Sequence, residues 1–549
     1  MSNQRVADAS MPTTSYANAG ASTRSRTRTA PLLCRRWHAL RWWLARSVFS
    51  VPLPFLTPRL DLKLGDLLVT LPVTAGSLVW CVLYTGTLSV RGTGSPVAIA
   101  MIAVFLLPVR NNSLLLELTG LPFDRALLYH KLAGWVTVVL GALHALAYYA
   151  SYHGLAQGWT GFDVAAAPPT STVIPMRVSG QVAFDAIVVL ALSSVPPLRR
   201  RCWEFFLRTH WLFFIVAIVF SLLHKSTVIL IGVVPWAIDV VYRYSVARWR
   251  SGGPIHRNVV KLSRVSADIV RVQWPQSNAS GSLQYSAGQY VFLCIPGVSW
   301  IEWHPFTIAS APHEPVVTIY IKVLGDWTKR LLAAVDTAPS GSMTVLVEGP
   351  YGALGVELDH YAHVVLCGGG IGVTPMLSLA NQLYYEACVA KTRKPLAKVW
   401  FLWSVRDRET IRAVCGLEDA ASPAQDQMQD TKASLKWVPH ALESAAASNT
   451  SRDAFFCEIF LTKGTQDLTN SVDQKLASAL RFGERPDIAK TLQRVGELAK
   501  QQQQPSRQQR VAVLVCGPAA LMTDVITQSL RLSRELGVPF DVHEETFDF

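Results

Sequence analysis

Four histidines stand inside apolar stretches of this sequence, His130 and His144 in one and His210 and His224 in another, and both pairs are fourteen residues apart. On an α-helix that spacing advances about 21 Å and returns to within about 40° of the same face. Each helix then offers two imidazoles on one side, near its opposite ends. If the two helices run in the same direction, His130 meets His210 at one level and His144 meets His224 at the other. A neutral imidazole is a good axial ligand for haem iron, and iron held by two of them has no open position, which suits electron transfer rather than oxygen binding. The spacing predicts two stacked b-type haems. A lone histidine on an apolar helix is more often an interhelical hydrogen-bonder or a proton relay. Repetition of one spacing on two helices argues against that. Zinc fits poorly, because only two histidines meet at each level and no cysteine or acid joins them.

Such helices need a membrane around them. The 549-residue chain is half hydrophobic and 16% charged, against roughly 25% charged in soluble domains. Apolar stretches near residues 66–88, 94–109, 127–150, 181–197, 205–224 and 227–247 predict six spans. Disordered and fibrous classes are excluded. The +13 net charge collects in the first 50 residues and around Arg110, Arg125 and Lys131, then in Arg199–Arg201 and in Arg243, Arg248, Arg250 and Arg257. By the positive-inside rule both termini are cytosolic, and the basic excess is explained without nucleic acid. Residues 1–60 read as a basic, disordered cytosolic tail. The nine cysteines form no CxxC pair, so free thiols are expected.

After the spans (61–250) the texture changes. Short β-branched runs over 256–358 read as a small antiparallel barrel, and from 360 to 549 strand-like and helical segments alternate, as in an open α/β sheet. The polar stretch at about 410–510, with Gln501–Gln504, reads as an insertion, partly disordered. In the barrel, His304-Pro305-Phe306-Thr307 follows Gly288-Gln289-Tyr290, and Lys322 precedes Gly325-Asp326-Trp327-Thr328. A strand edge beside a hydroxyl can hold a flat polar ring, and a lysine beside a glycine turn suits phosphate. In the α/β segment, His363 to Pro375 runs strand, glycine turn (Gly368, Gly370, Gly372), then helix start with Thr374 and Pro375. Such a turn lets backbone N–H groups approach a pyrophosphate at a helix N-terminus.

With these motifs in series, the chain resembles the membrane ferric reductase and NADPH oxidase family, and its second half resembles the ferredoxin-NADP reductase fold. The resemblance covers about residues 60–410 and 510–549. It implies FAD in the barrel, with His304, Pro305, Phe306 and Thr307 along the isoalloxazine and Lys322, Trp327 and Thr328 on the pyrophosphate side. It implies NADPH on Gly368, Gly370, Gly372, Thr374 and Pro375, with Arg406 on the 2′-phosphate. Cys516, Gly517 and Pro518 then lie beside the nicotinamide, where the thiol helps position the reacting carbon. The C-terminal Phe549 covers the flavin until nicotinamide displaces it. Salt pairing of Arg406 with Asp407 is the plain alternative for that arginine.

The function so implied is transfer of electrons from cytosolic NADPH through FAD and two haems to an acceptor across the membrane, a direction that an interior-negative potential favours. Two acceptors are open. The fourteen-residue spacing of both histidine pairs and a single outer loop of any length, at about 151–179, are similar to ferric chelate reductases supporting iron uptake. The alternative is an oxidase making superoxide. His153 and Asp163 lie in that loop, where they read as solvated residues rather than chelate ligands. The resemblance also implies the plasma membrane, while oligomeric state is left open.

Overall fold

The computed structural model describes residues 53, 56, 62–86, 90–109, 123–152, 175–242, 260–278, 281–300, 302–338, 341–352, 358–392, 398–415, 454–463, 479–501 and 510–545. The basic tail, the loop with His153 and Asp163, and Phe549 lie outside the described residues.

Six apolar helices come first: α1 (Leu64–Gly86), α2 (Val90–Leu106), α3 (Phe123–Tyr152), α4 (Met176–Ser193), α5 (Trp203–Leu223) and α6 (Leu230–Val241). Arg125–Ala150, Met176–Ser193 and Trp203–Leu223 are long and apolar enough to cross a membrane, whereas Leu64–Trp80, Gly92–Leu106 and Thr227–Val241 are apolar but shorter. Large apolar side chains point outward along these helices, among them Leu71, Leu83, Leu146, Leu212, Ile215 and Ile238. A helix that is apolar all round and exposed suits hydrocarbon as its solvent. Within the bundle α5 packs on α4 and α3 on α2, while α3 and α5 touch little along their backbones.

The second unit is built from two antiparallel three-stranded sheets. One has the order β1 (Lys261–Ser266), β2 (Ile269–Pro275), β7 (Val316–Lys322); the other is β6 (His304–Thr307), β5 (Tyr290–Cys294), β8 (Leu346–Tyr351). The pair Ser277–Asn278 (β3) and Gly281–Ser282 (β4) forms a small hairpin apart from them. Val270, Val272, Val291, Leu293, Ile319 and Ile321 contribute to one shared core, which α7 (Asp326–Thr337) closes with Trp327, Leu331 and Val335. Alternation places these residues on the inner face of each strand.

The third unit is a fully parallel six-stranded sheet in the order β12 (Leu480–Phe482), β11 (Phe455–Leu461), β10 (Lys398–Val405), β9 (His363–Gly369), β13 (Val511–Cys516), β14 (Phe540–Glu545). The inner strands β11, β10, β9 and β13 are near-continuous apolar runs, as expected of a parallel sheet covered on both faces, while the edge strands β12 and β14 carry charged residues. Helices α8 (Val373–Tyr384), α9 (Arg408–Cys415), α10 (Ile488–Gln501) and α11 (Ala519–Leu536) accompany it. Here the structure corrects the sequence reading. The stretch at 410–510, expected to be an insertion, supplies β11, β12 and α10, two strands and a helix of the sheet. Its polar segments hide the run Phe455–Leu461 and the buried helical stripe Ile488, Leu492, Val495 and Ala499.

Candidate functional site

The bundle brings both histidine pairs together. His130 and His210 stand with ring centroids 6.4 Å apart, and His144 and His224 with centroids 6.2 Å apart. Two metal–imidazole bonds of about 2 Å each, plus the distance from each ring centre to its own nitrogen, fill a gap of this size. Their hydrogen bonds leave the ligating nitrogen available. His130 Nδ1 donates to the Val104 carbonyl at 2.9 Å and His224 Nδ1 to the Met176 carbonyl at 2.9 Å. Thr93 donates its hydroxyl proton to the Val90 carbonyl, so at 2.8 Å its oxygen accepts from His144 Nδ1. With Nδ1 protonated, Nε2 carries the lone pair a metal needs. His210 Nδ1 is buried without a hydrogen-bond partner. Among the described residues no group of three or more His, Cys, Asp or Glu side chains gathers as a metal site. Two imidazoles at each level leave the other positions of a metal open, and a macrocycle would fill them, so the residues fit haem.

Two glycines leave room for the His144 and His224 rings, and the sequence reading missed both. A Cβ on Gly94 would lie 3.2 Å from His144 Cε1, and one on Gly180 would lie 2.7 Å from His224 Cε1. Thr93 was missed as well. The signal was there in part: glycine beside threonine or serine inside an apolar stretch, at Thr93-Gly94 and Ser179-Gly180.

In the two-sheet unit, His304 and Phe306 project from β6 onto Trp327, with centroids 4.4 Å and 5.9 Å away. Thr307 is buried and Pro305 lies opposite Phe292 in the β5–β6 ladder. The His304 pKa is lowered by burial, opposed by the Glu302 carboxylate and by Glu204 at the start of α5, with Arg330 adding to the fall. His304 Nε2 and Trp327 Nε1 are buried polar atoms without partners. Such orphans, beside aromatic faces, fit a polar aromatic ligand such as a flavin. Trp327 itself is a core residue beneath β6. Lys322 pairs with Asp268 at 3.3 Å. The Thr328 hydroxyl accepts from the Leu324 and Gly325 N–H groups and donates to the Gly325 carbonyl. It holds the turn that begins α7.

The parallel sheet brings its own set together at one end. β9 is flanked by β10 and β13, so the strand order reverses beside it, and ligands of open α/β sheets bind in the crevice at the carboxyl ends of such strands. The glycine turn follows β9, Arg406 follows β10 and Cys516-Gly517-Pro518 closes β13. A Cβ on Gly372 would lie 2.8 Å from the Cys516 carbonyl oxygen and 3.1 Å from its sulfur, and one on Gly517 would lie 2.9 Å from Gly369 Cα. Gly370 takes φ +57° with open space where a Cβ would be. Gly368 meets Val373 in the first turn of α8. Thr374 hydrogen-bonds the Ile371 carbonyl, Pro375 is buried in α8, and Trp403 Nε1 holds the Gly370 carbonyl. The cradle therefore fits a nucleotide pyrophosphate approached by bare backbone. Arg406 is exposed, and Asp407 is occupied in capping α9 through the Thr410 N–H and hydroxyl at 2.7 Å each. Burial first, and the nearby Glu545 second, push the Cys516 thiol pKa up. It stays a protonated thiol at neutral pH, suited to positioning rather than attack.

Comparison with known proteins matches three family models in series. They are a ferric reductase like transmembrane component over residues 93–221, an FAD-binding domain over 255–354 and a ferric reductase NAD binding domain over 361–530. A superoxide-generating NADPH oxidase heavy chain from Dictyostelium discoideum is 30% identical over 57% of this chain and 66% of its own length. Ferric reduction oxidase 7, chloroplastic, of Arabidopsis thaliana is 26% identical over 58% of this chain and 43% of its own. This chain thus spans about two thirds or less of either relative. A ferredoxin NADP+ reductase from Neisseria gonorrhoeae aligns with 52% of the chain at 13% identity and a TM-score of 0.33.

Proposed function

Because this chain belongs to the ferric reductase and NADPH oxidase family, we propose that it is a transmembrane NADPH-dependent ferric-chelate reductase of the plasma membrane, supporting iron uptake. In this reading the chain crosses the membrane six times, with the tail and both nucleotide units on the cytosolic side by the positive-inside rule. The carrying observation is the pair of facing histidine couples, 6.4 Å and 6.2 Å across, on one helix pair. Bound at the three sites, nicotinamide, flavin and haem would supply hydride donation, conversion of two electrons to single ones, and outward one-electron transfer.

The chain's own groups do the positioning. Gly368, Gly370 and Gly372 admit the pyrophosphate, and Arg406 discriminates the 2′-phosphate of NADPH. Cys516, neutral and packed on Gly372, sets the depth at which nicotinamide enters, and Phe549 guards the flavin face. His304 and Phe306 order the flavin strand on Trp327, while Lys322 and the α7 start face its phosphates. His130 and His210 form the inner relay level, and His144 with His224 the outer one, with His130, His144 and His224 oriented through Nδ1 as described above.

Equal fourteen-residue spacing in both pairs supports ferric iron as the acceptor. The relation to a superoxide-generating oxidase supports the second reading, oxygen as acceptor. Membranes carrying the protein are given NADPH and a ferric chelate, with and without superoxide dismutase. Reduction that persists with the dismutase supports the ferric reductase; loss of the signal assigns oxygen as the acceptor.

A further inference from the structure

Five polar side chains meet where the parallel-sheet unit touches the helical bundle, and none belongs to the nucleotide or histidine sites. Lys63 precedes α1 and Asp66 lies in its first turn; Arg125 and Tyr129 lie early in α3; Glu544 is the penultimate residue of β14. Lys63 Nζ stands 3.1 Å from Glu544 Oε1, and Arg125 reaches the same oxygen at 3.6 Å. Arg125 also approaches Asp66 at 3.6 Å. Asp66 accepts from the Tyr129 hydroxyl at 2.7 Å and from the Lys63 N–H at 2.8 Å. The four charged side chains are only 13% (Lys63), 6% (Glu544), 15% (Arg125) and 5% (Asp66) exposed.

Among the described residues, two cations and two anions pair with one another, little exposed to water. A buried set of this kind adds little net stability against an apolar isostere, yet it heavily penalises any arrangement that parts its members. That is the behaviour of a register device. Its placement joins two functional ends. Glu545, the next residue along β14, lies opposite Cys516 across the β13–β14 ladder. Tyr129 is the neighbour of His130 in α3. One ion cluster therefore ties the strand beside the nicotinamide turn to the helix turn that carries the inner histidine.

We propose that Lys63, Asp66, Arg125 and Glu544 form a docking latch that sets the register of the reductase module on the membrane bundle. Passage of electrons into the inner histidine level depends on the latch; hydride capture from NADPH does not. The second half of this inference rests on the electron-transfer reading above. These are positioning residues, since none of them is among the residues that form the proposed nucleotide, flavin or haem sites.

The test uses full-length protein in lipid nanodiscs, comparing wild type with Glu544→Gln, Lys63→Met and the double variant. Hydrogen exchange of segments 62–68 and 540–545 reads docking without any cofactor turnover. Each single variant is expected to exchange at least tenfold faster there, and the double variant no faster than the worse single, because both changes break one cluster. NADPH-driven reduction of a soluble dye should stay within twofold of wild type, while anaerobic haem reduction slows at least tenfold. Unchanged exchange in both single variants overturns the latch. Faster exchange with undiminished haem reduction overturns its role in electron passage. A wild type that reduces dye but no haem defeats the electron-transfer reading instead, and the exchange data still decide docking.

Discussion

The imidazole of His224 lies against the bare Cα of Gly180, where a methyl group would stand 2.7 Å from its Cε1. Gly94 backs His144 in the same way with a looser fit of 3.2 Å. Contacts below 3 Å force a shift, and the ring can move only by leaving its Met176 hydrogen bond or its partner histidine. Gly180→Ala should therefore lower haem content of the purified protein toward one per chain, and Gly94→Ala much less. Reduced-minus-oxidised absorbance per polypeptide checks the ranking, and equal retention by both variants would sink it.

Removal of a ligand is the blunter version. His144→Ala should lose one haem and block NADPH-driven reduction across the membrane, leaving reduction of soluble dyes intact. Full transmembrane activity in that variant contradicts the relay. Thr93→Val deletes the acceptor for His144 Nδ1 together with the hydroxyl's own bond to the Val90 carbonyl; loss of such a supporting bond typically costs about 10- to 100-fold in metal affinity or activity. Haem retention during dialysis against apomyoglobin measures it.

Arg406 stands exposed at the end of β10 while Asp407 is engaged by Thr410. A hydrogen bond to a charged group contributes about 1.5–3 kcal/mol, roughly 10- to 100-fold in binding. Arg406→Ala should raise KM for NADPH by about that factor and leave NADH unchanged, in steady-state dye reduction. An equal loss with both nucleotides would remove the arginine from the 2′-phosphate.

Burial pushes the Cys367 and Cys415 thiols up to about 12, and raises Cys457 and Cys516 as well. The charged form of a thiol is the deprotonated one. As pH rises past the unfolded value of about 8.5, the unfolded chain loses these protons and the folded chain keeps them. Stability from these groups is thus constant below pH 8.5 and falls between there and pH 12, by about 1.4 kcal/mol per thiol per pH unit. Thermal melts across pH 7 to 11 should show the midpoint dropping above pH 9, with a shallower drop in Cys367→Ala. A flat profile would mean that these thiols are open to water.

Much of the fold was legible because its signals are local. The apolar helices, the strand–glycine–helix run from His363 to Pro375 and the alternating core of the two-sheet unit all follow from period and composition over a few residues. β11 and α10 were not, since runs such as Phe455–Leu461 sit within polar chain and carry no motif. Only the parallel pairing of β10 with β11 shows that they complete the sheet.

The sequence by itself determined which residues could do chemistry: four histidines at one helical spacing, a glycine turn, an aromatic strand and a closing cysteine. Tertiary structure decided what orients them. The Nδ1 partners of three histidines, the glycines behind two of them, the neutral thiol on Gly372 and the charge cluster from Lys63 to Glu544 join segments far apart in the chain. Helical period is set by bonds between near neighbours and can be read along a sequence. Contacts across hundreds of residues arise only when packed elements exclude water and force buried polar groups to find one another.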